Sequence, residues 1–395
     1  MGTGAKRTLP RGVIALGFVS MFMDTSSEMI HSLLPVFLVT VLGLNILVVG
    51  LIEGIAESTA AITKIFAGVV SDWTRRRKPL VLLGYGLAAL TKPLFPLATG
   101  AGAVFTARFL DRIGKGIRGA PRDALVADLT PEPVRGAAYG LRQSMDTVGA
   151  FAGPALALAF MAFSGNNFRF VFWIAVLPAV IAVALVVFGV QEPETHGGGG
   201  NRSFPLQRRE IGRLGLKFWL IVAFGAILTL ARFSEAFLLL RAENVGLAVG
   251  YVPIVLIVMN VVYAASAYPF GHLSDRGNRG SLLAVGIAFL IAADLVLAAA
   301  GATWSVLIGS MLWGLHMGAT QGLLSTVVAA AAPADLRGTA FGVFNLVTGG
   351  TLLLASVLAG FLWTAYGPAA TFLAGAFFST VALIGLLTRR PRSTS

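Results

Sequence analysis

Acidic and basic side chains recur at helical spacing inside stretches otherwise built from apolar residues. Asp24, Glu28 and His31 stand at i, i+4 and i+7, which puts them on one helix face. Glu53 and Glu57 repeat the four-residue step, with Lys64 seven further on. Arg108, Asp111, Arg112, Lys115, Arg118 and Arg122 follow at steps mostly of three or four. They would form a basic stripe about 20 Å long at about 1.5 Å per residue. Arg142 and Asp146 make another i, i+4 pair. The later part of the chain is sparser, with Arg232, Glu235, Asp294 and His316, and Gln321 and Asn345 as neutral polar candidates.

Two kinds of chemistry suit these residues. A carboxylate in apolar surroundings favours its protonated form, and an arginine beside it favours the ionised form. A helix movement that makes or breaks such a pair therefore moves a proton. On this reading Asp24, Glu28, Glu57, Arg112 and Asp146 are proton-coupling candidates; a static ion-pair network holding helices together would use the same residues. A surplus of cations would instead hold an anion, with arginine binding carboxylate or phosphate in bidentate fashion. Arg108, Arg112, Lys115 and Arg118 are then substrate-binding candidates, joined by His31 and His316, Gln321 and Asn345. The competing reading is internal neutralisation by Asp24, Glu28, Glu57, Asp111 and Asp146.

The elements that position these groups must cross a membrane. Hydrophobic residues make up 56% of the chain and charged residues 12%, and the mean hydropathy is +0.82. Apolar runs long enough to span about 30 Å of hydrocarbon recur along the chain. Twelve are counted, near 11–40, 45–70, 79–99, 103–122, 136–163, 168–190, 216–240, 247–272, 280–300, 303–331, 337–366 and 368–388. With no water to satisfy an open backbone, they are expected to be helices. The first run is too long for a signal-peptide core and reads as a retained helix. The absence of cysteine excludes disulfides and thiolate metal sites. No other metal or cofactor site is expected.

The net charge of +12 is placed as topology requires rather than as nucleic-acid binding would. Alternate loops hold nearly all of it: Lys6, Arg7 and Arg11; Arg75–Lys78; Arg122 and Arg135; Arg202–Lys217; Arg276 and Arg279; Arg337; and Arg389–Arg392. This positive-inside pattern puts both termini in the cytoplasm. The polar stretch 191–215, containing Gly197–Gly200, reads as a cytoplasmic linker between helical bundles at 1–190 and 216–395. Gly114-Lys115-Gly116-Ile117-Arg118-Gly119 satisfies a dinucleotide-binding pattern, but no strand precedes it and it lies within a charged membrane helix.

Those bundles are copies of one another. Asp72 in Gly68–Lys78 matches Asp275 in Gly271–Arg279 at an offset of 203, and Pro131–Gly140 matches Pro333–Gly342 at an offset of 202. Duplication over half the chain is the mark of transporters built from two bundles around a central site.

Gly68-Val69-Val70-Ser71-Asp72-Trp73-Thr74-Arg75-Arg76-Arg77 resembles the loop between helices 2 and 3 of the major facilitator superfamily, G-x-x-x-D-(R/K)-x-G-(R/K)-(R/K). Trp73 replaces a basic residue and Arg75 the second glycine, while the copy at Gly271–Arg279 keeps Asp275-Arg276. Arg112-Ile113-Gly114-Lys115-Gly116 resembles that superfamily's R-x-x-Q-G, with Lys115 for glutamine. Gly140, Gly149, Gly153 and Pro154 resemble the G-x8-G-x3-G-P motif of its proton-coupled exporters, although Ala157 and Leu158 replace the double glycine that usually follows. Gly149 and Gly153 also share a face that permits close packing, and Pro154 removes a backbone donor.

The resemblance implies an all-α membrane protein of about twelve transmembrane helices in two pseudo-symmetric six-helix bundles around a central cavity. It makes Asp24 or Glu28 against Arg112 the leading coupling pair, because helices 1 and 4 face the cavity in that fold. It implies gating by Asp72, Arg75, Asp275 and Arg276, and by Arg142, Gly149, Gly153 and Pro154. The function expected is secondary transport by alternating access: proton-coupled export of small organic molecules, drug- or metabolite-like. The alternative is uptake or exchange of an anionic organic metabolite. The partners expected are the lipid bilayer, a small-molecule substrate and protons, with the protein a monomer in a bacterial inner membrane. No catalytic constellation points to an enzyme, and no ATPase motif accompanies the helices.

Overall fold

The structure is a computed structural model that describes residues 9–74, 76–192, 212–276, 279–332 and 336–388. Among these, the regular elements are helices. The first half holds α1 (Arg11–His31), α2 (Leu34–Thr40), α3 (Ile46–Thr74), α4 (Arg77–Thr91), α5 (Leu94–Leu97), α6 (Ala101–Leu129), α7 (Arg135–Phe163), α8 (Phe168–Ile174) and α9 (Val176–Gly189). The second holds α10 (Leu216–Ala231), α11 (Ala236–Asn244), α12 (Ile254–Arg276), α13 (Arg279–Ala298), α14 (Thr303–Ala331), α15 (Arg337–Tyr366) and α16 (Pro368–Thr388).

Four rods are broken: α1–α2, α4–α5, α8–α9 and α10–α11. Counted as rods, the described residues make six crossings in each half. The apolar runs gave the crossings but not the breaks. Pro35 opens α2 and Pro93 precedes α5, each lacking the N–H that would continue the helix before it. The third break falls at Ala175. The fourth, at Arg232–Glu235, has no proline within it. Ten rods are long and apolar enough to cross a bilayer on length and composition. α6 and α14 are each 29 residues long but carry, respectively, the basic stripe and the His316–Gln321 polar stretch.

The halves repeat one packing plan. α1 packs on α7, α3 on α6 and α4 on α6; their counterparts are α10 on α15, α12 on α14 and α13 on α14. Between halves, α3 packs along α15, α7 against α12 and α2 against α11. The α3–α15 seam is close because it is built on small residues. A methyl group at Gly54 would lie 3.0 Å from the Leu353 carbonyl oxygen, and one at Gly360 would lie 3.0 Å from that of Ile46.

The apolar cores show where the halves are joined. One cluster runs through both, from Phe37 and Leu38 to Phe237, Leu239 and Trp363. Two smaller ones each belong to a single half, around Leu16, Val81 and Leu125 and around Phe218, Val328 and Leu336. Both smaller clusters lie towards the end bearing the basic loops. Polar contacts between halves sit elsewhere: Thr364 Oγ1 donates to Asn45 Oδ1 at 2.8 Å, and Asn260 Nδ2 to the Ala150 carbonyl at 3.3 Å. The molecule is therefore sealed at one end and parted at the basic-loop end.

Candidate functional site

The parting forms a cavity of about 430 Å³ lined by Asp24, Glu28, Glu57, Lys64, Lys115, Arg118, Arg122 and Asp146. Ala60, Ala61, Gly119, Ala150 and Leu352 fill the spaces between them. α6 supplies most of the cations because its apolar face is narrow: it must bury Arg108, Asp111, Arg112 and Arg118 as well as Val104, Ala107 and Leu125. A buried charge in hydrocarbon must find a partner, and the neighbouring helices supply them.

Behind the wall two pairs are tight and sealed, and a third, Arg112 with Glu57, reaches the cavity through Glu57. Arg108 donates to Glu53 Oε2 at 2.7 Å, with side-chain exposures of 2% and 0%. Lys92 donates to Asp111 Oδ1 at 2.8 Å and to Ser27 Oγ at 2.9 Å. Arg112 lies 3.1 Å from Glu57, which Arg108 also approaches at 3.6 Å. Breaking a pair of this kind costs about 3–5 kcal/mol, because it leaves one charge buried alone. These contacts fasten α1, α3, α6 and the C-terminal end of α4 together.

At the wall the pairs are looser. Arg118 reaches Asp24 at 3.7 Å, and its guanidinium carbon sits 4.6 Å from the centre of the Tyr85 ring. Arg122 donates to Ser20 Oγ at 2.6 Å and stands 3.8 Å from Asp146. Asp146 also meets Arg142 at 3.1 Å, and Arg142 reaches Asp123 at 3.3 Å. Asp24 and Asp146 are each about a fifth to a quarter exposed (25% and 18%), whereas Arg118 is 5% exposed. Acids and arginines both line the cavity, the acids being the more exposed of each pair.

The expected pairing of Asp24 or Glu28 with Arg112 is not the one the structure holds. Arg112 turns to Glu57 on α3, and Asp24 meets Arg118. Six residues of α-helix rotate the side-chain direction by about 120° from the nearest full turn, so Arg112 and Arg118 lie at opposite edges of the stripe. One edge faces α3 and the other α1 and α4. Among the described residues the ion-pair contact of Glu28 within 4 Å is with His31, at 3.8 Å. His31 itself is buried between Glu28 and Glu53, with Nε2 3.9 Å from Glu53.

The remaining candidates scatter. His316 is fully buried, with Nδ1 2.8 Å from the Gly286 carbonyl, joining α14 to α13 away from the cavity. Gln321 Oε1 accepts from the Tyr263 hydroxyl at 2.9 Å. Asn345 is half-buried on α15 and does not line the cavity. Gly149 and Gly153 press α7 onto α1: a methyl group at Gly153 would fall 2.5 Å from Glu28 Cβ and 2.9 Å from the Thr25 carbonyl oxygen. Pro154 lies within α7, buried beside them. Arg75 and the side chains of Asp72, Asp275 and Arg276 lie outside the described residues, as do residues 193–211 of the expected linker.

Lys92 was not singled out from the sequence, although it is a basic residue inside an apolar run, which is itself a signal. For Glu53 the sequence leaves proton coupling and a static ion pair both open; the structure makes it the carboxylate around which α1, α3, α6 and the α10–α11 break converge. Ser234, in that break, donates to Glu53 Oε2 at 3.5 Å and so joins the two halves.

Two six-helix bundles on one packing plan, sealed at one end around a charged central cavity, define a membrane carrier. The Major Facilitator Superfamily model matches residues 16–347 and 233–395, and the chain belongs to that superfamily; it is a secondary transporter. It is 33% identical over 393 residues to the uncharacterized MFS-type transporter MJ1317 of Methanocaldococcus jannaschii, covering 96% of this chain and 95% of that protein. It is 24% identical over 390 residues to the inner membrane transport protein YajR of Escherichia coli, covering 94% and 81%. Among solved structures it is similar in fold to a mutant form of the nucleoside transporter NupG, with a TM-score of 0.80 at 13% identity, covering 95% of this chain and 99% of that one.

Proposed function

We propose that the protein is a proton-coupled exporter of small organic molecules that works by alternating access. The observation that carries this reading is the contrast between two sets of ion pairs. Those sealed behind the wall are close, at 2.7–2.8 Å for Arg108–Glu53 and Lys92–Asp111. Those on the wall, Arg118–Asp24 and Arg122–Asp146, stand at 3.7 and 3.8 Å and join different helices. A small shift of α1 or α7 along α6 makes or breaks the second set without disturbing the first. Asp24, freed of Arg118, then favours a proton, while Asp146 keeps Arg142, 3.1 Å away on its own helix.

The positive-inside rule supports a cytoplasmic cavity mouth and cytoplasmic termini in a bacterial inner membrane. Bundles at 1–190 and 216–395 would rock about the sealed end, with 191–215 as their linker. Asp72, Arg75, Asp275 and Arg276 at the basic-loop ends would latch the closed cytoplasmic gate. Arg142 and the Gly149–Gly153–Pro154 face would let α7 move on α1. The export direction rests on the glycine spacing of α7. The second reading, uptake or exchange of an organic anion, is favoured by the unpaired lysines of the cavity.

The test is purified protein in liposomes loaded with a pH-sensitive dye, under an imposed proton gradient, with a panel of cationic drugs and organic anions. The expected result is substrate-dependent proton flux that Asp24→Asn and Arg118→Ala each remove. Substrate movement without proton flux, unchanged in both variants, would sink the coupling.

A further inference from the structure

The charges around the cavity do not all cancel. Among the described residues, six cations (Lys92, Arg108, Arg112, Arg118, Arg122 and Arg142) stand within 4 Å of six carboxylates (Glu53, Glu57, Asp111, Asp24, Asp123 and Asp146). That closed set accounts for the arginine stripe, so internal neutralisation explains the arginines. It does not explain Lys64 and Lys115. Both line the cavity, both are exposed to it, and neither has an ion pair within 4 Å among the described residues. Glu28 is the one cavity acid left over, and it turns to His31.

The backbone brings the two lysines to one place. α3 and α6 are in close contact at Gly116, where a methyl group would fall 2.5 Å from Thr63 Cβ and 2.9 Å from the Ala60 carbonyl oxygen. Lys64 follows Thr63 and Lys115 precedes Gly116, so the lysines flank that contact on its cavity side. A methyl group on Gly119 would stand 3.4 Å from the Lys64 methylenes, so the Lys64 stem lies along α6.

The lining also sets the kind of molecule. Among the described residues it has no aromatic ring, and Leu352 is its one large apolar residue, so these residues offer no surface for stacking a flat lipophilic drug. A volume of about 430 Å³ suits a metabolite-sized molecule.

We infer that Lys64 and Lys115 form an anion clamp, and that the transported substrate is a small hydrophilic organic anion bearing a carboxylate or phosphate. The inference rests on the carrier reading for the word transported; the clamp itself does not. Two ammonium groups approach such a group from α3 and α6, with the neighbouring acids already neutralised by arginines. Glu28 opposes the anion and limits its affinity.

The experiment is thermal unfolding of the purified full chain in detergent, titrated with succinate, benzoate, phenyl phosphate and, as the opposite charge, tetrapropylammonium. At least one anion should raise the unfolding temperature saturably, while tetrapropylammonium should not. Lys64→Gln with Lys115→Gln should unfold at the wild-type temperature without ligand, since neither lysine is paired, and should shift the anion midpoint at least tenfold. Lys64→Arg with Lys115→Arg should retain the response, and Glu28→Gln should tighten it. The clamp is overturned if no anion responds, if the glutamine variant responds like wild type, or if tetrapropylammonium alone stabilises. Binding here needs no translocation. An intact anion response in a protein that moves nothing across liposomes would overturn the carrier reading and leave the clamp standing.

Discussion

Glu53→Gln isolates the energetics of the sealed pairs. Glutamine keeps the shape of the side chain and an oxygen that accepts from Arg108, but it leaves the guanidinium without its counter-charge. Arg108 is 2% exposed and Glu53 0%, so water cannot replace what is lost. Removing one partner of a buried pair costs about 3–5 kcal/mol. Glu57, 3.6 Å from Arg108, remains as a second carboxylate and places the loss at the lower end, about 3 kcal/mol. For a unit the size of one half, about 2–4 °C accompanies each kcal/mol. The unfolding temperature in detergent should therefore fall by about 6–12 °C. Glu53→Leu combined with Arg108→Met removes both charges and should return to within about 1 kcal/mol of wild type or exceed it. The reasoning is refuted if Glu53→Gln unfolds at the wild-type temperature. It is refuted equally if the double variant is as unstable as the two single losses added together.

Other consequences can be checked with the same preparations. Gly153→Val places a branched side chain against Glu28 and Thr25 of α1; overpacking of about 1–3 kcal/mol should lower thermal stability, and liposome transport should fall further than stability does. Arg241 donates to the carbonyls of Leu297, Ala298 and Ala300, so Arg241→Met should cost at least about 2 kcal/mol and loosen α11 from the end of α13, measured as faster hydrogen exchange at 236–244. Ser234→Ala removes a 3.5 Å bridge between halves. It should cost under about 1 kcal/mol, yet speed thiol labelling of Asn45→Cys at the sealed end. Asp24→Asn should flatten the pH dependence of transport while leaving the Lys64–Lys115 anion response in place.

Much of this architecture was legible because hydrocarbon imposes simple rules on sequence. Apolar runs located the crossings, and the repeats around Asp72 and Asp275 and around Gly136 and Gly338 exposed the two halves. The breaks were hidden because the apolar runs resume on either side of them: His31–Pro35 and Arg232–Glu235 read as polar residues within one long run rather than as interruptions of its helix. Charge spacing found the face of α6 but not its partners, since a step of six residues carries Arg118 away from the neighbour that Arg112 meets. Lys92 was marked by the apolar run around it, but its carboxylate could not be read from spacing, since Asp111 lies 19 residues on, in another helix. His316 looked like a cavity residue because it is an ionisable group in a membrane helix. Only the packing of α13 on α14 showed that it holds the Gly286 carbonyl instead.

Substrate-driven proton flux through a protein locked shut at its sealed end tests the central claim most directly. The chain has no cysteine, so Asn45→Cys with Thr364→Cys, replacing a 2.8 Å hydrogen bond between the halves, introduces one reporter pair without background. Proton and substrate flux in liposomes would be followed before oxidation, after oxidation and after reduction. Alternating access coupled to protons predicts that both fluxes stop together when the disulfide forms and return together when it is reduced. Flux of either that persists in the cross-linked protein would contradict the account.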